Sequence, residues 1–176
     1  MKNFPKNVSV TTVIQRMQPF HLDAVMEIEE DSFVYCWGRK EFETVAIMDD
    51  SSCVVLFVND ELLGYLCFQL LPFEEEMVLV NLAVKADHRR MGVGSFLVNT
   101  IVDTFPCKKV VVVASESNLV SLTFFRHLGF QATELLPDYY EGVDGMEGDA
   151  ISMELLKKVP SPIAYAKTYP GEDWSN

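Results

Sequence analysis

Val80-Asn81-Leu82-Ala83-Val84, then four residues, then Arg89-Arg90-Met91-Gly92-Val93-Gly94-Ser95, is the stretch whose reading settles the architecture. Residues 77–84 carry the Val and Leu content of a β-strand. From Ser95 onward, Leu97, Val98, Ile101, Val102 and Phe105 recur at helical spacing until Pro106 stops them. The segment between is therefore a strand-to-helix turn. Its two glycines let the main chain approach an anion, and the unpaired N–H groups at a helix start, backed by the helix dipole, favour negative charge there. Arg89 and Arg90 add donors suited to bidentate phosphate contacts. A pyrophosphate is the ligand such a turn fits. It has no lysine after the second glycine and no third glycine at dinucleotide spacing, which excludes a Walker-type nucleotide site and an NAD fingerprint.

Outward from this turn, short strands alternate with helices. Toward the N-terminus, residues 8–16 mix β-branched and polar side chains as a first strand. Leu22, Val25, Met26 and Ile28 then mark a short helix that runs into the acidic Glu29-Glu30-Asp31, and a second helix is expected over 40–48. Residues 53–58 and 62–71 read as a hairpin about Asn59-Asp60, with Gly64 marking a close backbone approach. Toward the C-terminus, 110–114 is a β-branched run of the kind covered on both faces. Residues 121–128 form a helix closed by Gly129 in the left-handed conformation, with Phe130 packing back. A last hairpin joins 131–135 to 150–155. No internal repeat is present.

The 176 residues, 49% hydrophobic and spread evenly, are enough for one packed domain. The longest apolar stretch, 62–73, is broken by Gly64 and Gln69 and falls short of the roughly 18 residues of a membrane span. Lys2 and Lys6 have no apolar run behind them, unlike a secretory signal. Cys36, Cys53, Cys67 and Cys107 sit singly without metal-ligand spacing, so buried reduced thiols, no metal and a cytoplasmic location are expected. A net charge of −12 disfavours nucleic acid and anionic membrane as partners. Between Arg126 and Lys157 there is no cation, while Glu134, Asp138, Glu141, Asp144, Glu147, Asp149 and Glu154 all fall there: a solvated acidic surface, or the lip of a site for a cationic substrate.

The strand followed by Arg-x-x-Gly-x-Gly resembles the acetyl-CoA signature of the GNAT superfamily of N-acetyltransferases. Ser117-Asn118 with Phe124-Phe125-Arg126-His127-Leu128-Gly129-Phe130 is similar to that family's second cofactor segment, and Gly64-Tyr65 to its central hairpin. Tyr139-Tyr140-Glu141-Gly142 with Gly148-Asp149-Ala150-Ile151-Ser152-Met153 resembles the C-terminal segment of protein N-terminal acetyltransferases, in particular the ribosomal-protein-alanine N-acetyltransferases. Cys36-Trp37 and Phe42 resemble the first-helix loop of that group. The resemblance covers residues 8–156. It implies an α/β (α+β) GNAT fold, with a mixed, mostly antiparallel central sheet splayed between strands 4 and 5 and flanked by helices. The domain would span 1–159, with an extended tail over 160–176. By the same resemblance, the main chain of Leu82, Ala83 and Val84 pairs with the pantetheine arm of acetyl-CoA. Arg89, Arg90, Met91, Gly92, Val93, Gly94 and Ser95 hold its pyrophosphate, Asn118 and Phe125 contact it beyond the splay, and Trp37, Tyr139 and Tyr140 line the acceptor channel.

The pattern departs from the family at two places. Where the N-terminal acetyltransferases carry a Glu or His near the end of the fifth strand, alignment on Ser117-Asn118 places Val113; where they carry a thiolate-protonating Tyr, it places Phe125. Replacement groups would be Glu76 on the fourth strand, Glu116 just beyond the fifth, or Tyr140; His127, on a short packed helix, and His88, in a turn, are less suited. The expected activity is transfer of acetyl from acetyl-CoA to a primary amine by direct attack. A protein N-terminal α-amino group, basic chains included, is the favoured acceptor, with a monomer or homodimer as the working unit. A small-molecule amine or polyamine is the rival acceptor, and a non-catalytic acyl-CoA-binding module the rival class.

Overall fold

The computed structural model describes residues 11–48, 50–141 and 148–157. The first residues of the expected opening strand, loop residues 142–147 and the tail from 160 lie outside them. The order is β1 (Thr12–Arg16), a 3-10 turn (Pro19–His21), α1 (Leu22–Ser32), α2 (Arg39–Ile47), β2 (Ser51–Val58), β3 (Glu61–Leu71), β4 (Glu76–Val84), α3 (Val93–Thr104), β5 (Lys109–Ser115), α4 (Leu119–His127), β6 (Gln131–Leu136) and β7 (Ala150–Leu156). The expected elements are all present, with ends moved by a residue or two. α1 runs on through the acidic residues to Ser32, and α3 starts at Val93 rather than Ser95 because Gly92 takes the left-handed conformation (φ 89°) and lets the helix begin immediately after it.

The strands form one sheet in the order β1-β2-β3-β4-β5-β7-β6, antiparallel throughout except for the parallel β4–β5 pair. That pair needs a crossover, and α3 supplies it. Both faces are covered. On one, Leu97, Val98, Ile101 and Val102 of α3 pack with Leu66, Phe68, Met77, Leu79, Val110, Val112, Phe125 and Phe130. On the other, Leu22, Val25 and Ile28 of α1 and Phe42 of α2 pack with Val55, Tyr65, Cys67 and Ala83.

Two departures from a regular ladder position the site. In β3, Leu56↔Gly64 is followed by Phe57↔Leu62, so Leu63 is an extra residue. In β4, Cys67 pairs with Asn81 but Phe68 with Leu79, so Val80 is extra. Strand side chains alternate faces, and an extra residue inverts the alternation. Met77 and Leu79 point to the α3 face, whereas Asn81 and Ala83 beyond the bulge lie toward α1.

The first bulge also explains a correction. Unbulged pairing about the Asn59-Asp60 turn would set Cys53 opposite Leu66; the extra Leu63 sets it opposite Cys67, and the two sulfurs are bonded rather than reduced. Cys36 and Cys107 are free thiols.

Element ends are fixed by side chains. Asn118 Oδ1 accepts from the Ser121 N–H at 3.0 Å and caps α4. At its far end Gly129 (φ 95°) lets the Phe130 N–H donate to Phe125 O at 3.1 Å, as expected from the sequence. Lys157 Nζ donates to Val102 O and, at 3.0 Å, to Phe105 O, placing a cation at the negative end of α3.

His21 is buried, and its Nδ1 accepts from the Gln18 N–H at 3.0 Å, which requires that nitrogen to be unprotonated. Burial lowers the ring's pKa below its ordinary 6.5. Above about pH 6.5 both folded and unfolded rings are neutral and the stabilisation is complete; below it the unfolded chain takes up a proton that the folded one resists, so stability falls. Thermal melts from pH 8 to 5 should show a steeper acid loss for the parent than for His21→Asn, the difference bounded by about 1.4 kcal/mol per pH unit. Parallel curves would remove His21 as the cause.

Candidate active site

β4 and β5 pair from Glu76↔Lys109 to Leu79↔Val112 and no further. Past that point β4 continues to Val84 on β3 while β5 continues to Ser115 on β7, so the two strands part with the Val80 bulge at the fork. The main chain of β4 from Val80 to Val84 then has an edge unpaired by β5, able to bond an extended ligand arm. Leu82 packs onto the α3 cluster, and Ala83 is buried on the opposite face.

The loop after β4 leads into α3, whose first turn has no side-chain cap; its first backbone bond runs from the Phe96 N–H to Gly92 O at 2.9 Å. The preceding amides are free to meet an anion. Space is available too, since a Cβ built on Gly92 meets nothing within 4 Å. At Gly94 the same Cβ would lie 3.4 Å from the Phe124 ring and 3.5 Å from Val84 Cγ2, so this glycine seats the helix start against β4 and α4. Val93 and Ser95 flank it, half-buried, while Met91 is exposed.

The two arginines differ. Arg89 Nε donates to Val84 O at 2.9 Å, and its Nη2 reaches Asp31 Oδ2 at 2.7 Å and Ser32 Oγ at 2.9 Å, so its guanidinium ties the loop to the end of α1. Arg90, exposed and left-handed at φ 62°, makes no ion pair among the described residues. Of the pair, Arg90 is the one whose charge remains for a phosphate.

The two positions expected to move protons are apolar. Val113, half-buried, is the first β5 residue past the last β4 pair. Phe125 is 4% exposed and packs edge-on with Phe124 (5.0 Å) and Phe130 (5.2 Å), placing its ring in the core cluster. Asn118 spends its Oδ1 on the α4 cap, leaving its amide donors for another partner.

The polar candidates fall in different places. Glu76 begins β4 at the closed end of the β4–β5 pair and bonds Lys109 Nζ at 2.7 Å, with Glu154 on the same ammonium at 3.2 Å. It lies three residues, about 10 Å of strand, before the fork and clasps the sheet shut. Glu116 is exposed on the turn after β5, where its N–H bonds Asp149 O at 3.1 Å. His127 Nδ1 lies 2.7 Å from Thr123 O on the outside of α4. His88 occupies the turn before Arg89. Tyr139 and Tyr140 stack edge-on at 5.0 Å beyond β6, and burial, then Tyr139, raises the Tyr140 phenol above its usual pKa. That shift suits the Tyr140 hydroxyl to donating rather than to taking a proton.

A buried polar group that the sequence reading passed over lies on the α1 side of the fork. Glu29 of α1, 1% exposed, accepts from the Trp37 N–H at 2.7 Å, from the Tyr65 hydroxyl, and from Asn81 Nδ2 at 3.3 Å to both oxygens. Burial first, then the neighbouring carboxylate, pushes the Tyr65 phenol well above its ordinary range. Trp37 stacks edge-on against Phe42 at 5.3 Å, and Phe42 against Tyr65 at 5.4 Å. Glu29 had a signal in the sequence. Leu22, Val25 and Glu29 fall at i, i+3 and i+7, so the carboxylate occupies the apolar stripe of α1.

A parallel pair that opens beside an uncapped glycine-rich helix start is the arrangement of an acyl-CoA-using transferase. Comparison with known proteins makes that definite: the model of the acetyltransferase (GNAT) family matches residues 22–130, more than half of the chain, and the chain belongs to that family. It is an acetyl-CoA-dependent acetyltransferase. An uncharacterized N-acetyltransferase of Methanocaldococcus jannaschii is 28% identical over 153 residues, 85% of this chain and 93% of that protein. The ribosomal protein bS18-alanine N-acetyltransferase of Escherichia coli K12 is 27% identical over 145 residues, 81% of this chain and 95% of its own length. The crystal structure of the Escherichia coli ribosomal-protein-S18-alanine N-acetyltransferase superposes with a TM-score of 0.73 at 23% identity, covering 86% of this chain and 97% of that one. Arabidopsis thaliana NAA60 in complex with acetyl-CoA superposes at 0.71 and 17% identity, over 83% and 98%, a likeness of fold. Among the described residues no cluster of His, Cys, Asp and Glu could hold a metal ion, and no helix is long and apolar enough to cross a membrane.

Proposed function

We propose that this acetyltransferase acts on protein N-terminal α-amino groups. In this reading acetyl-CoA lays its pyrophosphate on the amides of residues 91–95 with Arg90 beside them, and its arm pairs with Leu82 and Val84. The thioester is thereby carried through the fork toward the α1–α2 side. There Trp37, Tyr139 and Tyr140 flank the approaching amine, which attacks the acetyl carbonyl directly. Attack forms the C–N bond, loss of coenzyme A thiolate breaks the C–S bond, and the amine's proton leaves to water.

The observation that carries the choice of acceptor is the pair Val113, half-buried just past the last β4 pair, and Phe125, packed in the core, neither of which can take or give a proton. An α-amino group of pKa about 7.7–8.0 is roughly 15% neutral at pH 7, whereas a lysine at about 10.4 is neutral only about 0.04% of the time. A site without a base therefore favours the α-amine by more than two orders of magnitude. Exposed Glu116, Asp138 and Glu141 near the mouth add negative charge that draws a cationic chain end. The name of the Escherichia coli relative, a ribosomal protein bS18-alanine N-acetyltransferase, points the same way. A cytoplasmic location, where nascent chains present such amines, belongs to the proposal.

The test is thiol release with acetyl-CoA and three acceptor sets: peptides with free N-termini, the same peptides N-acetylated but carrying lysine, and spermidine. Only the first set should turn over. With no enzyme base, kcat/KM should climb about tenfold per pH unit below the acceptor's own amine pKa and level off above it, the inflection moving with the peptide. Turnover of spermidine alone would sink the α-amine assignment in favour of a small-amine enzyme.

A further inference from the structure

Glu29 is the charged side chain that the fold buries without a cation: the ion pairs among the described residues all lie elsewhere. A buried carboxylate is costly unless every lone pair finds a donor, and here the donors come from three separate elements. One is the main-chain N–H of Trp37, in the segment 33–38 between α1 and α2. Another is the Tyr65 hydroxyl on β3, whose oxygen also lies 3.2 Å from Asn81 Oδ1. The third is the Asn81 amide, on the first β4 residue past the bulge.

Two of these elements border the reaction and one does not. The 33–38 segment carries Trp37, half-buried beside exposed Val34 and Tyr35, with no strand or helix pairing of its own. Asn81 belongs to the length of β4 that has left β5. Tyr65 sits deep in the sheet, fully buried, and gives the carboxylate a fixed floor. A single group thus bolts a loop to an open strand edge. Were the network only filler for a gap, an apolar side chain of similar size would pack among Val25, Ile28 and Phe42 without demanding four hydrogen-bonding contacts.

We propose that Glu29 is a positioning residue for the acceptor. It holds the 33–38 segment against the open half of β4, so that the incoming chain end meets the thioester in one geometry. The inference rests on the acetyl-transfer reading given above. Being 1% exposed, Glu29 does not itself touch the amine. Its effect is on how tightly the acceptor is held; the link from α1 to the glycine-rich loop runs through Asp31, Ser32 and Arg89 instead.

The experiment uses the full chain in a Trp174→Phe background, which leaves Trp37 as the sole tryptophan of the two. Glu29→Ala removes the acceptor of the Trp37 N–H, Glu29→Gln restores a carbonyl at the same reach, and Val25→Ala serves as a control that loosens the same cluster without touching the network. Each variant is assayed at the same interval below its own melting temperature. Glu29→Ala should raise the peptide KM at least tenfold, keep the acetyl-CoA Kd within twofold and make Trp37 at least twice as quenchable by acrylamide. Glu29→Gln should recover most of both changes, and Val25→Ala should show neither. If Glu29→Ala does not fold, Glu29→Asp, one methylene short of the Trp37 N–H, supplies the same readings. Unchanged peptide KM and unchanged quenching in a folded Glu29 variant overturn the proposal. A parent protein that binds acetyl-CoA but acetylates no peptide defeats the acceptor assignment instead, and the Trp37 quenching comparison then decides the positioning role by itself.

Discussion

Gly92→Asp should abolish measurable acetyl-CoA binding, weakening it at least a hundredfold, while the chain still folds. The argument has two parts that a control separates. The backbone at Gly92 is left-handed, and a side chain there costs about 1–2 kcal/mol of stability, yet a Cβ finds open space, so nothing in the packing forbids it. Binding suffers for another reason. The carboxylate would stand within a few ångströms of a pyrophosphate, and two like charges about 4 Å apart repel by roughly 1–4 kcal/mol each at the effective dielectrics of water and protein surface. Against a doubly charged group the sum is about 2–8 kcal/mol, most of it above the roughly 2.7 kcal/mol of a hundredfold loss. Gly92→Ala should carry the strain without the repulsion: a melting temperature lowered similarly, with a Kd raised less than about tenfold. Calorimetric titration of both variants with acetyl-CoA checks this, and retention of binding by Gly92→Asp would remove the loop from the site.

Gly64→Ala should be the most damaging single methyl group in the sheet. Its Cβ would fall 2.7 Å from the carbonyl oxygen of Ala83 and 3.3 Å from Leu97 Cδ1. The first neighbour is backbone, in a strand held by β3 on one side, so it has no rotamer to change. The cost should reach about 3 kcal/mol, the upper end for overpacking, or a melting temperature lower by about 6–12 °C for a chain of this size. Relief can come only by pushing β4 away from β3, which shifts the strand meant to receive the cofactor arm. Kd for acetyl-CoA should therefore rise along with the loss of stability. A melting temperature within 2 °C of the parent would refute the close approach.

These two glycines were not equally visible from the sequence. Gly92 belongs to a motif whose chemistry names its ligand, whereas Gly64 announced a close approach without saying to what. Most of the fold was legible for a similar reason: β-branched runs, the left-handed pair Asn59 (φ 49°) and Asp60 (φ 67°) at the hairpin, and Gly129 after α4 each report a local backbone preference. What failed to show was long-range. The extra Leu63 cannot be told from an ordinary strand residue, because its side chain is as apolar as its neighbours; without it no reading would set Cys53 against Cys67. Glu29 was masked by standing in a run of three acids, of which only it turns inward. Glu76 was weighed for proton transfer from its strand alone, and the Lys109 that occupies it comes from the far side of a crossover. Candidate cofactor residues contiguous in sequence could be proposed; a network assembled from α1, β3 and β4 could not.

The single unmatched residue at Val80 has a consequence for how this enzyme can vary. It works like a shift of reading frame partway along β4: before it the odd-numbered Met77 and Leu79 face the core under α3, and after it the odd-numbered Asn81 and Ala83 face α1 while Leu82 takes the α3 side. The same parity of position thus serves two different surroundings along one strand. If Glu29 positions the acceptor as proposed, substitutions at Met77 and Leu79 act first on the core under α3, and substitutions around Asn81 act first on the acceptor.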